Sequence, residues 1–149
     1  AVESLQDPGN LGTMLRAGEG AGLSAILANR GTVDIYNPKV IRATMGSIFR
    51  VPVVYADDWL AALRELSANH VSLYAAALQA SVPYDSIDYP EKTAFLIGNE
   101  AAGLTAETIA MADQSIHIPM LGQVESLNAA VAASVLLYER ARQRRRGTR

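Results

Sequence analysis

Short apolar stretches alternate with longer segments of helical spacing from one end of the chain to the other, and this alternation limits the folds open to it more than any other feature. The apolar stretches fall at 23–28, 51–55, 71–76, 93–97 and 115–118, with 1–5 as the stump of a further strand. Helical patterns fall at 11–20, 38–48, 58–68, 104–112 and 126–145, with Asp57 or Asp58, Thr105 and Ser126 as helix caps. Trp59, Leu60, Leu63 and Leu66 read as one helix's core stripe. Strand and helix in strict succession with short links predict an α/β domain, a mainly parallel sheet with helices on both faces. The 149 residues show no repeat and no low-complexity linker, so residues 1–149 read as one domain.

Composition removes several function classes. The richest apolar run, 129–138, is about half the length that a bilayer span needs, so no membrane partner is expected. Acidic Glu3 and Asp7 stand where a secretory leader would be basic. Without cysteine there is no disulfide, thiolate nucleophile or cysteine zinc site, which fits a reducing, cytoplasmic location. His70 and His117 lie far apart with no acid cluster beside either, so no metal site is expected; His117, between Ile116 and Ile118, reads as a half-exposed structural side chain. Charge is unevenly spread. Residues 1–138 carry seven Lys/Arg against fourteen Asp/Glu, a balance of −7, whereas 139–149 carry six arginines against Glu139, a balance of +5. That basic arm could grip phosphates, or simply be a soluble, dipole-matched helix end.

Three segments could carry chemistry. Asp7-Pro8-Gly9-Asn10-Leu11-Gly12, with Arg16 beyond it, reads as a strand-to-helix turn whose glycines admit a ligand and whose helix would carry Arg16 along the same face. Its early place in the chain predicts a truncated strand with something useful upstream. Neither the dinucleotide fingerprint nor a phosphate-binding loop is present. Phe95-Leu96-Ile97-Gly98-Asn99-Glu100-Ala101-Ala102-Gly103-Leu104 runs an apolar strand into a loop with a carboxylate between two glycines. Ile118-Pro119-Met120 leads through a loop to Ser126-Leu127-Asn128 and an Ala-rich helix, where Ala129, Ala130, Ala132 and Ala133 allow close packing. Taken singly, each segment is equally readable as turns, caps and packing.

Together and in this order, the three resemble the sequence motifs of the SpoU (TrmH-like) family of RNA 2′-O-ribose methyltransferases, over about residues 1–142. Asn99 and Ala129 depart from the commonest residues at those positions without removing a group the family uses for chemistry. The resemblance implies a SPOUT fold with a C-terminal deep trefoil knot, S-adenosylmethionine as cofactor, and a homodimer through the first and last helices that brings one subunit's first motif to the other's cofactor. It implies catalytic or supporting roles for Arg16, Asn10, Glu100, Ser126 and Asn128. Cofactor contacts would come from Ala76, Ala77, Leu96, Gly98, Asn99 and Gly103, and from Ile118, Pro119, Met120, Ser126, Leu127 and Asn128. RNA contacts would come from Arg16, Arg42 and Arg50. The stretch from Tyr36 to Pro52 resembles the branch that modifies large-subunit ribosomal RNA with the help of an additional N-terminal RNA-binding domain, so ribosomal RNA is favoured over transfer RNA.

Overall fold

The computed structural model describes residues 1–79 and 81–147; Arg149 of the basic arm lies outside the described residues. The elements in chain order are α1 (Pro8–Ala21), β1 (Ile26–Asn29), α2 (Pro38–Thr44), β2 (Val53–Ala56), α3 (Trp59–Ala68), β3 (Ser72–Ala76), β4 (Val82–Pro83), β5 (Thr93–Leu96), α4 (Ala106–Ala110), β6 (Gln114–His117) and α5 (Ala129–Gly147). Short 3-10 turns cover Ser47–Phe49 and Tyr84–Ser86. β1 pairs with β2, and the order β4-β6-β3-β5 makes a second group; every pairing is parallel.

Residues 1–3 join the two groups. The Val2 N–H donates to Leu27 O (2.8 Å) and Val2 O accepts from Asn29 N (3.2 Å), while Glu3 N donates to Ile97 O (2.9 Å). Val2 is therefore bridged in parallel to Ala28 on one side and Ile97 on the other, so the expected stump sits in the middle of a continuous parallel sheet.

Strand parity divides the core. Leu73, Ala75 and Leu96 point to one face and pack with Leu63, Trp59, Leu60 and Ile109 of α3 and α4. Tyr74, Phe95 and Ile97 point to the other and pack with Leu11, Leu15 and Leu136 of α1 and α5. Side chains one residue apart leave opposite faces of a strand, and both faces here meet a helix layer. The α3 stripe is as expected, with the Trp59 indole N–H also donating to Thr108 Oγ1 (2.9 Å).

Two helix starts lie three residues from the sequence reading. α1 begins at Pro8, not residue 11, because Asp7 accepts the Asn10 N–H at its side chain (2.8 Å) and proline fits the first turn, where its missing N–H costs nothing. The expected ligand-facing glycines are thereby absorbed into helix: a Cβ at Gly12 would lie 2.4 Å from Ala43 Cβ and 2.8 Å from Val40 O, so Gly12 serves the crossing of α1 over α2. α5 begins at Ala129, and its cap is Asn128 rather than Ser126: Asn128 Oδ1 accepts from Ala130 N (2.9 Å) and Val131 N (3.2 Å). Asp58 caps α3 and Thr105 caps α4. No helix among the described residues is long and apolar enough to cross a membrane.

Candidate active site

The loop after β5 is built by Asn99. Its backbone exchanges hydrogen bonds with Gly103 (3.0 and 2.9 Å), closing residues 99–103 into a tight hairpin, and Gly103 takes the positive φ of 70° that this closure requires. The Asn99 side-chain oxygen accepts the N–H groups of Ala101 and Ala102 (both 2.9 Å), and its amide nitrogen donates to Ser4 O (2.8 Å). Asn99 thus spends its side chain on closing the loop and tying it to Ser4. Gly98 passes directly beneath: a Cβ there would lie 2.2 to 2.4 Å from backbone atoms of Gly103 and Leu104.

Residues 3–7 run alongside this loop and fasten it. Glu3, 5% exposed, accepts from Thr105 N (2.9 Å), Thr105 Oγ1 (2.8 Å) and Thr108 Oγ1 (2.7 Å), which holds the start of α4. Glu100 accepts from Gln6 N (3.1 Å) at one carboxylate oxygen, and from Asp7 N (2.9 Å) and Asn10 Nδ2 (3.1 Å) at the other. Asn10 Oδ1 in turn accepts from Asn128 Nδ2 (2.9 Å). Glu100, Asn10 and Asn128, one from each of the three segments, thus form a continuous chain of hydrogen bonds. Its polarity is dictated at both ends: an ionised carboxylate only accepts, and the first turn of α5 only donates, so each amide has one orientation.

Partial burial raises the Glu100 pKa, but the Asp7 and Gln6 backbone N–H groups and the Asn10 amide outweigh it and hold the carboxyl below its ordinary value. A carboxyl depressed in the folded state contributes stability above its unfolded pKa and loses that contribution as pH falls through the folded one. Glu100→Gln is expected to remove this acid-side loss while lowering stability at neutral pH by about 1–2 kcal/mol, because an amide NH₂ would face N–H donors. Denaturant titrations of both proteins between neutral and strongly acidic pH test this; parallel curves would show that Glu100 carries no such linkage.

Beside the chain lies a cavity of about 630 Å³. Its walls include Ala76, Ala77, Gly98, Asn99, Gly103, Ile118, Met120, Ser126, Leu127 and Asn128 of the expected cofactor set. Leu96 and Pro119 are not among its walls: Leu96 is fully buried against α3, because strand parity turns it away from the site. The sequence reading missed Gln79, Leu104, Ile109, Ile116 and Leu136 as wall residues. Strand-end position was the available signal for Ile116; Leu136 is two turns into α5 and gave none. His117, half-buried as expected, also lines the cavity and pairs its Nδ1 with Ser81 Oγ at 2.8 Å. The alanines of α5 divide their work, Ala130 and Ala133 buried in the core and Ala129 and Ala132 facing the cavity.

Arg16 stands apart. Six helical residues place it roughly 120° around α1 from Asn10, so the expected shared face is not observed. Asn10 is buried and Arg16 exposed, outside the cavity wall and without an ion pair among the described residues. Ser126 is an exposed wall residue outside the hydrogen-bond chain. Arg42 is exposed on α2. Arg50 is committed to Glu19 of α1, whose carboxyl is held at about 2 by the hydrogen bond from Arg50 and a second from Ser47. Among the described residues, no three His, Asp or Glu side chains come together as a metal site.

Comparison with known proteins agrees with this geometry. Residues 1–138 match the model of the SpoU rRNA Methylase family. The chain is 43% identical over 143 residues to the 23S rRNA (guanosine(2553)-2'-O)-methyltransferase RlmP of Bacillus subtilis, covering 92% of this chain and 55% of that protein. It is 34% identical to the 23S rRNA (uridine(2479)-2'-O)-methyltransferase of Streptomyces viridochromogenes, covering 92% of this chain and 50% of that one. Among solved structures, the SpoU methyltransferase AviRb from S. viridochromogenes in complex with AdoMet superposes with a TM-score of 0.89 at 31% identity, over 96% of this chain and 56% of that one. An AdoMet-bound rRNA methyltransferase from Sinorhizobium meliloti gives 0.90 at 37%, over 95% and 54%. The chain spans about half the length of the curated relatives it matches. With the family model matched across the fold and the three motifs joined by one chain of hydrogen bonds beside the cavity, the chain belongs to the SpoU rRNA methylase family.

Proposed function

We propose that this chain transfers a methyl group from S-adenosylmethionine to the ribose 2′-oxygen of a structured RNA. The observation that carries the reading is the chain Glu100–Asn10–Asn128 at the edge of a cavity of suitable size, which uses one polar residue from each motif. A volume of about 630 Å³ lies within the range of small-molecule sites, and its small and apolar walls suit a nucleoside-containing ligand. When bound, the cofactor supplies a methyl group already activated by its sulfonium. Gly98, Met120 and Leu127 would enclose it, with Asn128 and Ser126 as polar neighbours.

The remaining task is to seat the RNA and ease a proton from a weakly acidic hydroxyl. A guanidinium offers donors and no acceptor, so the part of Arg16 is to grip the RNA phosphate and orient it toward that proton. The exposure of Arg16 away from its own cavity supports a homodimer through α1 and α5, in which each cavity receives the partner's Arg16. Ribosomal RNA is favoured as substrate by the activities named for the Bacillus and Streptomyces relatives. Transfer RNA is the runner-up: a structure described as giving insight into the 2-OH methylation of C/U34 on tRNA superposes at a TM-score of 0.86 with 28% identity. We place the activity in the cytoplasm, in keeping with a cysteine-free chain.

Calorimetric titration with S-adenosylmethionine and S-adenosylhomocysteine, with NAD as control, tests the reading. Micromolar binding of the first two and none of NAD is expected. A folded chain that binds neither methionine derivative would overturn it in favour of a non-catalytic homologue.

A further inference from the structure

We propose that α2 and the 3-10 turn following it form a stacking platform for unpaired RNA bases, an inference that rests on the RNA methyltransferase reading above. Large apolar side chains crowd this short stretch. Phe49 is 86% exposed, Tyr36 73% and Met45 68%, all within fourteen residues of chain. Packing accounts for the other side of the same helix: Val40 and Thr44 are fully buried, and Ala43 meets Gly12 of α1. Successive helical residues turn by about 100°, so Ile41, Met45 and Arg42 fall on one outward arc opposite Val40 and Thr44. Met45 closes the helix with a left-handed φ of 49°, and Gly46 follows at 87°, so the chain bends sharply just before Phe49.

Charge identifies the occupant. Residues 35–56 contain Lys39, Arg42 and Arg50 and no Asp or Glu, within a body whose balance over 1–138 is −7. The neighbouring acid Asp34 accepts the Tyr36 N–H (2.9 Å), folded back on its own turn. Glu19 is neutralised by Arg50. Lys39 and Arg42 are therefore exposed on the same short stretch as these aromatic and thioether side chains, with no carboxylate pairing them among the described residues. Cations flanking exposed rings suit a single-stranded polyanion whose bases can stack, whereas a paired helix hides its base faces and offers phosphates alone.

The test uses the protein, a fluorescein-labelled RNA hairpin with an unpaired loop, and a blunt RNA duplex of equal length, read by anisotropy across a salt series. Phe49→Ala and Tyr36→Ala are each expected to weaken hairpin binding about tenfold with the salt slope and duplex affinity unchanged. Lys39→Ala and Arg42→Ala should instead flatten the salt slope for the hairpin by about 0.7 each. All four should bind S-adenosylmethionine like the parent, which separates failure of this proposal from failure of the methyltransferase reading. Aromatic variants that leave hairpin affinity intact, or weaken hairpin and duplex equally, overturn it. So does a loss of self-association in sedimentation with RNA affinity preserved, which would assign the surface to a second copy of the chain.

Discussion

Arg16→Ala is expected to lower methyl transfer by about a hundred- to a thousandfold while S-adenosylmethionine binds as tightly as before. Both halves of this expectation come from its position. The side chain is exposed on α1, outside the cavity wall of its own chain, so that wall keeps its shape when Arg16 is removed. It supports no ion pair among the described residues, and stability should move by no more than about 0.5 kcal/mol. Arg16→Lys keeps a cation but loses the planar fork that grips phosphate with two hydrogen bonds, and should recover only part of the rate. Paired calorimetry and single-turnover methylation settle the matter. If cofactor affinity falls with the rate, Arg16 belongs to the cofactor site; if neither changes, it has no part in the reaction.

Gly98→Ala should produce the opposite phenotype, a folded protein with cofactor affinity reduced about a hundredfold or more. The added Cβ would lie 2.2 to 2.4 Å from the carbonyl carbon and oxygen of Gly103 and the nitrogen of Leu104, all backbone atoms that cannot swing aside. The hairpin between Asn99 and Gly103 must therefore open or shift, and it forms part of the cavity wall. Overpacking of this kind costs about 1–3 kcal/mol, and here the distortion lands on the cavity wall. Normal cofactor binding by a folded Gly98→Ala protein would show that the wall at Gly103 is not used. The two variants together also test the proposed dimer. In a mixture, the cavity of an Arg16→Ala subunit can receive Arg16 from a Gly98→Ala partner, so activity should return if the arginine acts across the interface and should stay absent if it acts within one subunit.

The parallel α/β architecture was legible because the apolar period changes between strand and helix at each element, and strand parity then placed Leu73 and Tyr74 on opposite faces. Element ends were less so. Gly9 and Gly12 resemble loop residues until the Asp7 cap and the contact with Ala43 are seen, and the latter is made across thirty-one residues of chain. Ser126 and Asn128 are both good caps; which one serves is decided by Asn10, which holds the Asn128 amide from a different helix. The two-residue β4 carries no pattern of its own and exists through its pairing with Ile116 and His117. Of the site, the participating residues were visible as motifs, but their order was not. Glu100, Asn10 and Asn128 are separated by 90 and 118 positions, and local spacing says nothing about who donates to whom. The outward face of Arg16 followed from three residues of helix at its start that the glycines concealed.

The place of Val2 in the sheet bears on how the molecule is made. During synthesis residues 1–7 emerge ahead of the partners they bind among the described residues, and those on their second side, Phe95 to Glu100, are added only after some ninety further residues. At typical elongation rates that is about 5–20 s in which a sheet-central segment has one neighbour at most. Closure of the sheet, the Glu100 anchor and the 99–103 hairpin are thus late contacts of long sequence separation. The cavity beside Glu100 is then completed only after residues 1–7 have been recaptured by a segment made some ninety positions later, so that folding of this wall waits on a contact between distant parts of the chain.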